Sequence, residues 1–194
     1  MAKHSSHRKQ VRHYHDPGDL HELTFSCYQR RPLLTNDLWR RHLSQSISQA
    51  VQDQDYRLVA FVYMPEHVHL LVYPTVEPVD IDRFLAAVKR PCSAEVKANL
   101  QSTGSHLLHE LTVRERPGKW SFRFWQEGPG YDRNLKTPEA VLGSIDYLHL
   151  NPVRRGLCQE AVQWRWSSAR WYQSEGRDLD DQLPQIDGVP ADLW

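Results

Sequence analysis

The chain has 194 residues, with 24 Lys and Arg set against 24 Asp and Glu, which is enough for one domain with its own core and too little for two ordinary ones. Its 40% hydrophobic and 25% charged composition suits a globular protein, and no apolar run nears the roughly 20 residues that a bilayer span needs, so a membrane protein is excluded. Zero formal net charge removes the argument for nucleic-acid binding from bulk basicity, and three widely separated cysteines, Cys27, Cys92 and Cys158, exclude both a disulfide framework and a Cys-rich zinc knuckle.

Residues 1–19 are polar and rich in His and cations, end in Asp16-Pro17-Gly18, and read as a flexible arm. No apolar stretch follows the first cations, so a secretory signal is not expected and the expected compartment is the cytoplasm. From Leu20 to Tyr28 the residues Leu23, Phe25 and Cys27 alternate with Thr24, Ser26 and Tyr28, the period of a half-buried strand. Thr35-Asn36-Asp37 supplies capping side chains for a helix whose apolar side is Trp39, Leu43, Ile47, Ala50 and Val51. Two apolar runs, 56–63 and 68–73, flank Met64-Pro65-Glu66-His67 and predict two strands joined by a tight connection. Residues 79–100 return to the helical period, with Pro91 expected to kink or split the helix.

Residues 101–119 read as loop, 120–125 as a short aromatic strand, and Gly128-Pro129-Gly130 as a turn. Thr137-Pro138-Glu139 opens a last helix, a cap followed by Pro in the first turn, ending near Asn151-Pro152. The order strand, helix, strand, strand, helix, strand, helix predicts an α+β fold, a ferredoxin-like antiparallel sheet with helices on one face and an additional C-terminal helix. The domain spans residues 20–172, and residues 173–194 form an acidic tail. From Glu175 to Trp194 there are six acids and one base, so the rest of the chain carries 23 Lys and Arg against 18 Asp and Glu.

His67-Val68-His69 opens a run that reads as a central strand, where side chains two apart share a face and can reach one metal ion. With 11 His in the chain, one such spacing by chance is unsurprising, and a second pair, His13 and His15, lies in the polar arm without strand flanks. A catalytic metal also needs a third donor. On the last helix Val141, Ile145 and Leu148 make the core stripe, while Tyr147 and Asn151, four apart, lie together off it. They would present a phenol beside an amide; the plainer alternative is a surface Tyr and a helix-ending Asn before Pro152.

Three segments together, 64–72 (MPEHVHLLV), 124–133 (FWQEG through Tyr131-Asp132-Arg133) and 145–157 (IDYLHLNPVRRGL), resemble the REP-associated tyrosine transposases of the HUH single-strand, IS200-like superfamily. The likeness covers roughly residues 20–172, with Trp166-Ser-Ser-Ala-Arg as its closing element. It implies an RRM-like sheet with a catalytic helix beside it, on which Tyr147 is the nucleophile and forms a 5′-phosphotyrosine with a free 3′-hydroxyl. His67 and His69 become metal ligands, with Asn151 the third, for a divalent Mg or Mn. The implied partner is single-stranded or hairpin DNA, engaged by a monomer or homodimer. Tyr131 is the second candidate nucleophile.

For DNA contacts the interleaving of Arg114, Arg116, Lys119, Arg123, Arg154 and Arg155 with Trp120, Phe122, Phe124 and Trp125 suits a surface pairing phosphates with stacked bases. Lys89 and Arg133 match basic positions of the family, so the expected DNA-binding set is Lys89, Arg123, Trp125, Arg133, Arg154 and Arg155. Trp164, Trp166 and Trp171 read as packing residues. Two other classes fit the same residues: a non-catalytic RRM-like nucleic-acid-binding module, and a hydrolytic metal-dependent nuclease that leaves no protein attached to DNA.

Overall fold

The computed structural model describes residues 19–191 apart from residues 129 and 179. The His13 and His15 pair, and all of the N-terminal arm but Asp19, lie outside the described residues. In chain order the elements are β1 (Leu20–Ser26), α1 (Asp37–Asp53), β2 (Tyr56–Tyr63), β3 (His67–Pro74), α2 (Ile81–Ser102), α3 (Leu107–Glu110), β4 (Thr112–Arg116), β5 (Lys119–Phe122), β6 (Tyr131–Leu135), α4 (Pro138–Arg154) and α5 (Ala169–Gln173). The main sheet has the order β2-β3-β1-β6 with every pairing antiparallel, the ferredoxin-like arrangement the element order predicts.

Strand alternation sorts the side chains into two cores. Leu23 and Phe25 of β1 and Val68, Leu70 and Val72 of β3 pack with Leu43 and Ile47 of α1 and Phe84, Val88 and Val96 of α2. On the other face Leu20, Val62 and Leu71 meet Val141, Ile145 and Leu148 of α4. The pairing register shifts between Leu58 and Ala60. This bulge lets Val59 and Ala60 both join the α4 side while Leu58 and Phe61 stay on the α1 and α2 side.

Capping follows the expected chemistry. The Asn36 side chain accepts from Leu38 N at 2.9 Å and Trp39 N at 3.3 Å at the start of α1, and Thr137 Oγ1 accepts from Ala140 N at 3.3 Å at the start of α4. Helix α2 runs through Pro91 as one element, so of the expected kink or split the split does not occur. Pro91 is on the exposed side while Val88, Cys92 and Val96 are held in the core, so the lost hydrogen bond falls toward water.

Two expectations are corrected downstream. Residues 101–119 are not simply loop: they contain α3 and β4, and β4 pairs with β5 in a separate two-stranded sheet. The aromatic strand expected over 120–125 ends at Phe122, and the fourth strand of the main sheet is β6. Only Leu135 of β6 is buried, so an edge strand with a polar sequence carried no apolar alternation to read.

Beyond α4 the chain covers the outer edge of β2. Tyr63 N donates to Trp166 O at 2.8 Å, Ser168 N to Phe61 O at 3.1 Å, and Asp187 N to Leu58 O at 2.9 Å, while Leu58 N donates to the Asp187 carboxylate at 2.9 Å. Ile186 is part of the first core, so this portion of the acidic C-terminal segment is packed onto the domain. Trp166 is buried in the same core, with Trp164 and Trp171 packed against it. No helix among the described residues is long and apolar enough to cross a membrane.

Candidate active site

Because His67 and His69 share a face of β3, both project toward α4 while Val68 enters the opposite core. Their Nε2 atoms lie 3.0 Å apart. The outer nitrogen of each ring is tethered: His69 Nδ1 is 2.8 Å from Thr24 Oγ1, across the β1–β3 pairing, and His67 Nδ1 is 3.1 Å from Glu66 Oε1. Holding each Nδ1 aims both Nε2 atoms at one point, the arrangement by which outer-shell partners orient metal-binding imidazoles.

Burial lowers the pKa of His67, opposed by the Glu66 carboxylate, and burial together with His67 lowers that of His69 to about 4. Both rings are therefore neutral near pH 7, the form a metal requires. Burial alone would raise the Glu66 carboxyl, but Arg155 and His67 outweigh it and hold it below the usual range. Arg155 Nη1 is 2.8 Å from Glu66 Oε1, with Arg30 at 4.0 Å.

Two neutral, converging imidazoles fit a divalent first-row ion. No cluster of three or more His, Cys, Asp or Glu that could hold a metal occurs among the described residues, so a third protein donor would be of another type. Asn151 is buried and donates through Nδ2 to Tyr147 O at 3.4 Å, and its side chain makes no other hydrogen bond among the described residues.

Helix α4 is docked through Val141, Ile145 and Leu148 and through Ser144 Oγ, which donates to Glu22 Oε2 at 3.1 Å. That docking brings the Tyr147 ring edge-on to His69, with centroids 5.9 Å apart and an interplanar angle of 88°. The Tyr147 side is 44% exposed, so a strand in solvent can reach it, and the Arg154 guanidinium lies 5.1 Å from its ring centroid.

An open cleft of about 640 Å³ runs past this point, lined by residues that include Glu22, His69, Tyr131, Arg133, Ser144 and Tyr147. Arg133 Nη2 donates to Glu22 Oε2 at 2.6 Å while its side chain stays about half exposed. Gly130 borders the same strand pair at φ +83°, and a Cβ there would fall 2.3 Å from Thr24 O. Only glycine tolerates both conditions.

Of the residues expected to meet DNA, Arg133 lines the cleft, while Arg154 and Arg155 flank Tyr147 and Glu66. Arg123 is instead ion-paired to Glu115 and Glu127. Lys89 lies on the α2 side of the sheet, 4.9 Å from the Phe25 ring centroid, with burial lowering its pKa to about 8. Trp125, also expected to meet DNA, is 7% exposed, packs edge-on to Phe25, and donates to Lys89 O at 3.1 Å.

The sequence reading assigned no role to Thr24, Glu66, Glu22 or Ser144. Glu66 precedes His67 directly, and Thr24 follows from the alternation of β1 once its pairing is known. The Glu22 to Ser144 link joins residues far apart in sequence and has no local signal.

Residues 20–128 match the family model for IS200-like transposases. That span includes both histidines and ends before α4. No curated protein matches the sequence. Among solved structures, a REP-associated tyrosine transposase bound to a REP hairpin overlaps 96% of this chain and 96% of its own, with TM-score 0.64 and 18% identity, which establishes a common fold. A protein of Deinococcus radiodurans R1, provisionally assigned as a transposase, overlaps 72% of this chain and 94% of its own, with TM-score 0.43 and 20% identity, too loose an overlap to argue from. The family match covers more than half of the chain, and the chain belongs to the IS200-like transposase family.

Proposed function

We propose that this transposase cleaves and rejoins single-stranded DNA through Tyr147, with residues 20–172 as the catalytic unit. The observation that carries the reading is the pair of imidazole nitrogens 3.0 Å apart with the Tyr147 ring set edge-on beside one of them. The Tyr147 oxygen attacks the scissile phosphorus, the bond to the 3′ oxygen breaks, and the phenolic proton is lost to the open cleft. The leaving oxygen takes up a proton and becomes a free 3′-hydroxyl, while the 5′ side stays on Tyr147 as a phosphodiester. Since that linkage conserves the bond energy, the same or another 3′-hydroxyl reverses the step and completes strand transfer.

Arg154 supplies positive charge beside the phenol as its oxygen becomes anionic, and Arg133 and Arg155 bind flanking phosphates. His67, His69 and Asn151 would hold a divalent ion, Mg or Mn, whose chemistry is to neutralise a phosphoryl oxygen. The DNA is a strand that folds into a hairpin, a partner supported by the ligand of the REP-associated relative with the same fold. The enzyme acts in the cytoplasm as a monomer or homodimer.

The test is a denaturing gel of the protein incubated with hairpin-bearing single strands and Mg or Mn. A covalent adduct is expected, absent with EDTA and with Tyr147→Phe. An adduct that survives Tyr147→Phe transfers the role to another residue, Tyr131 first, and free ends without any adduct make the protein a hydrolytic nuclease.

A further inference from the structure

The hairpin of β4 and β5 stands outside the main sheet and shares no lining residue with the cleft. Its root is held in place: Arg123 N donates to Leu111 O at 2.7 Å, Phe122 packs on the first core, and Phe124 and Trp125 are buried there. Its far part carries Trp120, 62% exposed, the most exposed large hydrophobic side chain among the described residues. An indole in water forgoes the burial that makes tryptophan worthwhile in a small domain, so its position calls for a partner.

The surrounding charge says which kind. Arg114 pairs directly across from Trp120 and therefore shares its face of the hairpin, and Arg116 pairs with Lys119. From Thr112 to Arg123 there are four cations and one acid. That acid, Glu115, is occupied by Lys119 at 2.7 Å and by Arg123. The guanidinium groups of Arg114 and Arg116 have no ion-pair or hydrogen-bond partner among the described residues. Tryptophan and arginine also anchor protein interfaces, but an excess of unpaired cations around an exposed ring favours a polyanion with flat bases.

We propose that residues 112–122 form a second DNA contact in which Trp120 stacks on an unpaired base while Arg114 and Arg116 hold the phosphates beside it. The contact deepens the proposed function and rests on its DNA substrate, though not on its chemistry. It divides the labour of the chain between a cleft that reacts and a hairpin that grips.

The experiment uses the full chain carrying Tyr147→Phe, without metal, so that no strand is cut. The probes are a fluorescein-labelled oligo(dT) strand and hairpin-bearing strands with 2-aminopurine placed in turn at each unpaired position. Trp120→Ala is expected to weaken binding about tenfold or more, and Trp120→Tyr much less, as stacking requires. One 2-aminopurine position is expected to lose its quenching in Trp120→Ala alone. Arg114→Ala and Arg116→Ala each lower the salt slope of binding by about 0.7. Affinity unchanged within about twofold in Trp120→Ala, or no binding by the parent chain, overturns the proposal. Because binding is read without cleavage, loss of the Tyr147 adduct in the wild-type assay leaves this result standing, and the reverse also holds.

Discussion

Glu66 Oε1 lies 3.1 Å from His67 Nδ1 and takes a second hydrogen bond, from Arg155, at 2.8 Å. A carboxylate in that place fixes the ring's orientation and tautomer and raises the basicity of its free nitrogen. Glu66→Ala is therefore expected to weaken Mn binding by about 10- to 100-fold, read by calorimetric titration, with Glu66→Gln losing less because its amide oxygen still accepts. Equal binding by wild type and Glu66→Ala would separate the carboxylate from any role at the histidines.

Gly130 and Gly128 make a controlled pair. Both have positive φ, +83° and +110°, but a Cβ at Gly128 meets nothing within 4 Å whereas one at Gly130 collides with Thr24 O. Gly130→Ala is expected to lose more stability than Gly128→Ala, by at least about 1 kcal/mol in urea unfolding. It also disturbs the strand that orients His69, so adduct formation falls further than for Gly128→Ala. Indistinguishable variants would refute the close approach.

Acid sensitivity follows from two histidines. Burial lowers the pKa of His149, which is 2.8 Å from Ser168 Oγ, from 6.5 to about 4, and His69 falls equally far. For a depressed histidine the folded state favours the neutral ring, so the stabilisation is complete above the unfolded pKa and is lost as pH drops toward the folded one. Each ring is expected to forfeit about 2 kcal/mol between about pH 7 and pH 5. The urea midpoint should fall over that range, and His149→Gln should make the fall roughly half as steep. A variant with the wild-type slope would exclude His149 as a contributor.

Glu22 joins three elements, since its Oε2 receives Arg133 of β6 at 2.6 Å and Ser144 of α4 at 3.1 Å. Glu22→Ala strands a buried hydroxyl and frees a half-exposed guanidinium. Because Arg133 remains solvated, a cost of about 1–3 kcal/mol is expected instead of the larger loss for a fully buried pair. Thermal unfolding measures it. A smaller adduct rate at saturating DNA would show in addition that α4 has loosened against the sheet.

The elements with a strong apolar period were legible before the fold was known. Strands β1 to β3 and helices α1, α2 and α4 lie near their expected positions because two cores impose alternation and a 3.6-residue stripe on them. Strand β6 was not legible because it sits at an edge with one buried residue. Trp120 and Trp125 show the same limit from another side: both are tryptophans in one aromatic run, yet one is exposed and the other buried. A period cannot tell the free end of a hairpin from its anchored root. Within the site, the His67 and His69 spacing was visible locally, while the tethers from Thr24 and Glu22 depend on strand pairing.

With Trp166, Ser168 and Asp187 fastened along β2, the outer flank of that strand is sealed by the chain that follows α4. Shortening the gene so that translation stops just after α4 would unseal that flank, and the product should accumulate as insoluble aggregate with its DNA chemistry lost to self-association.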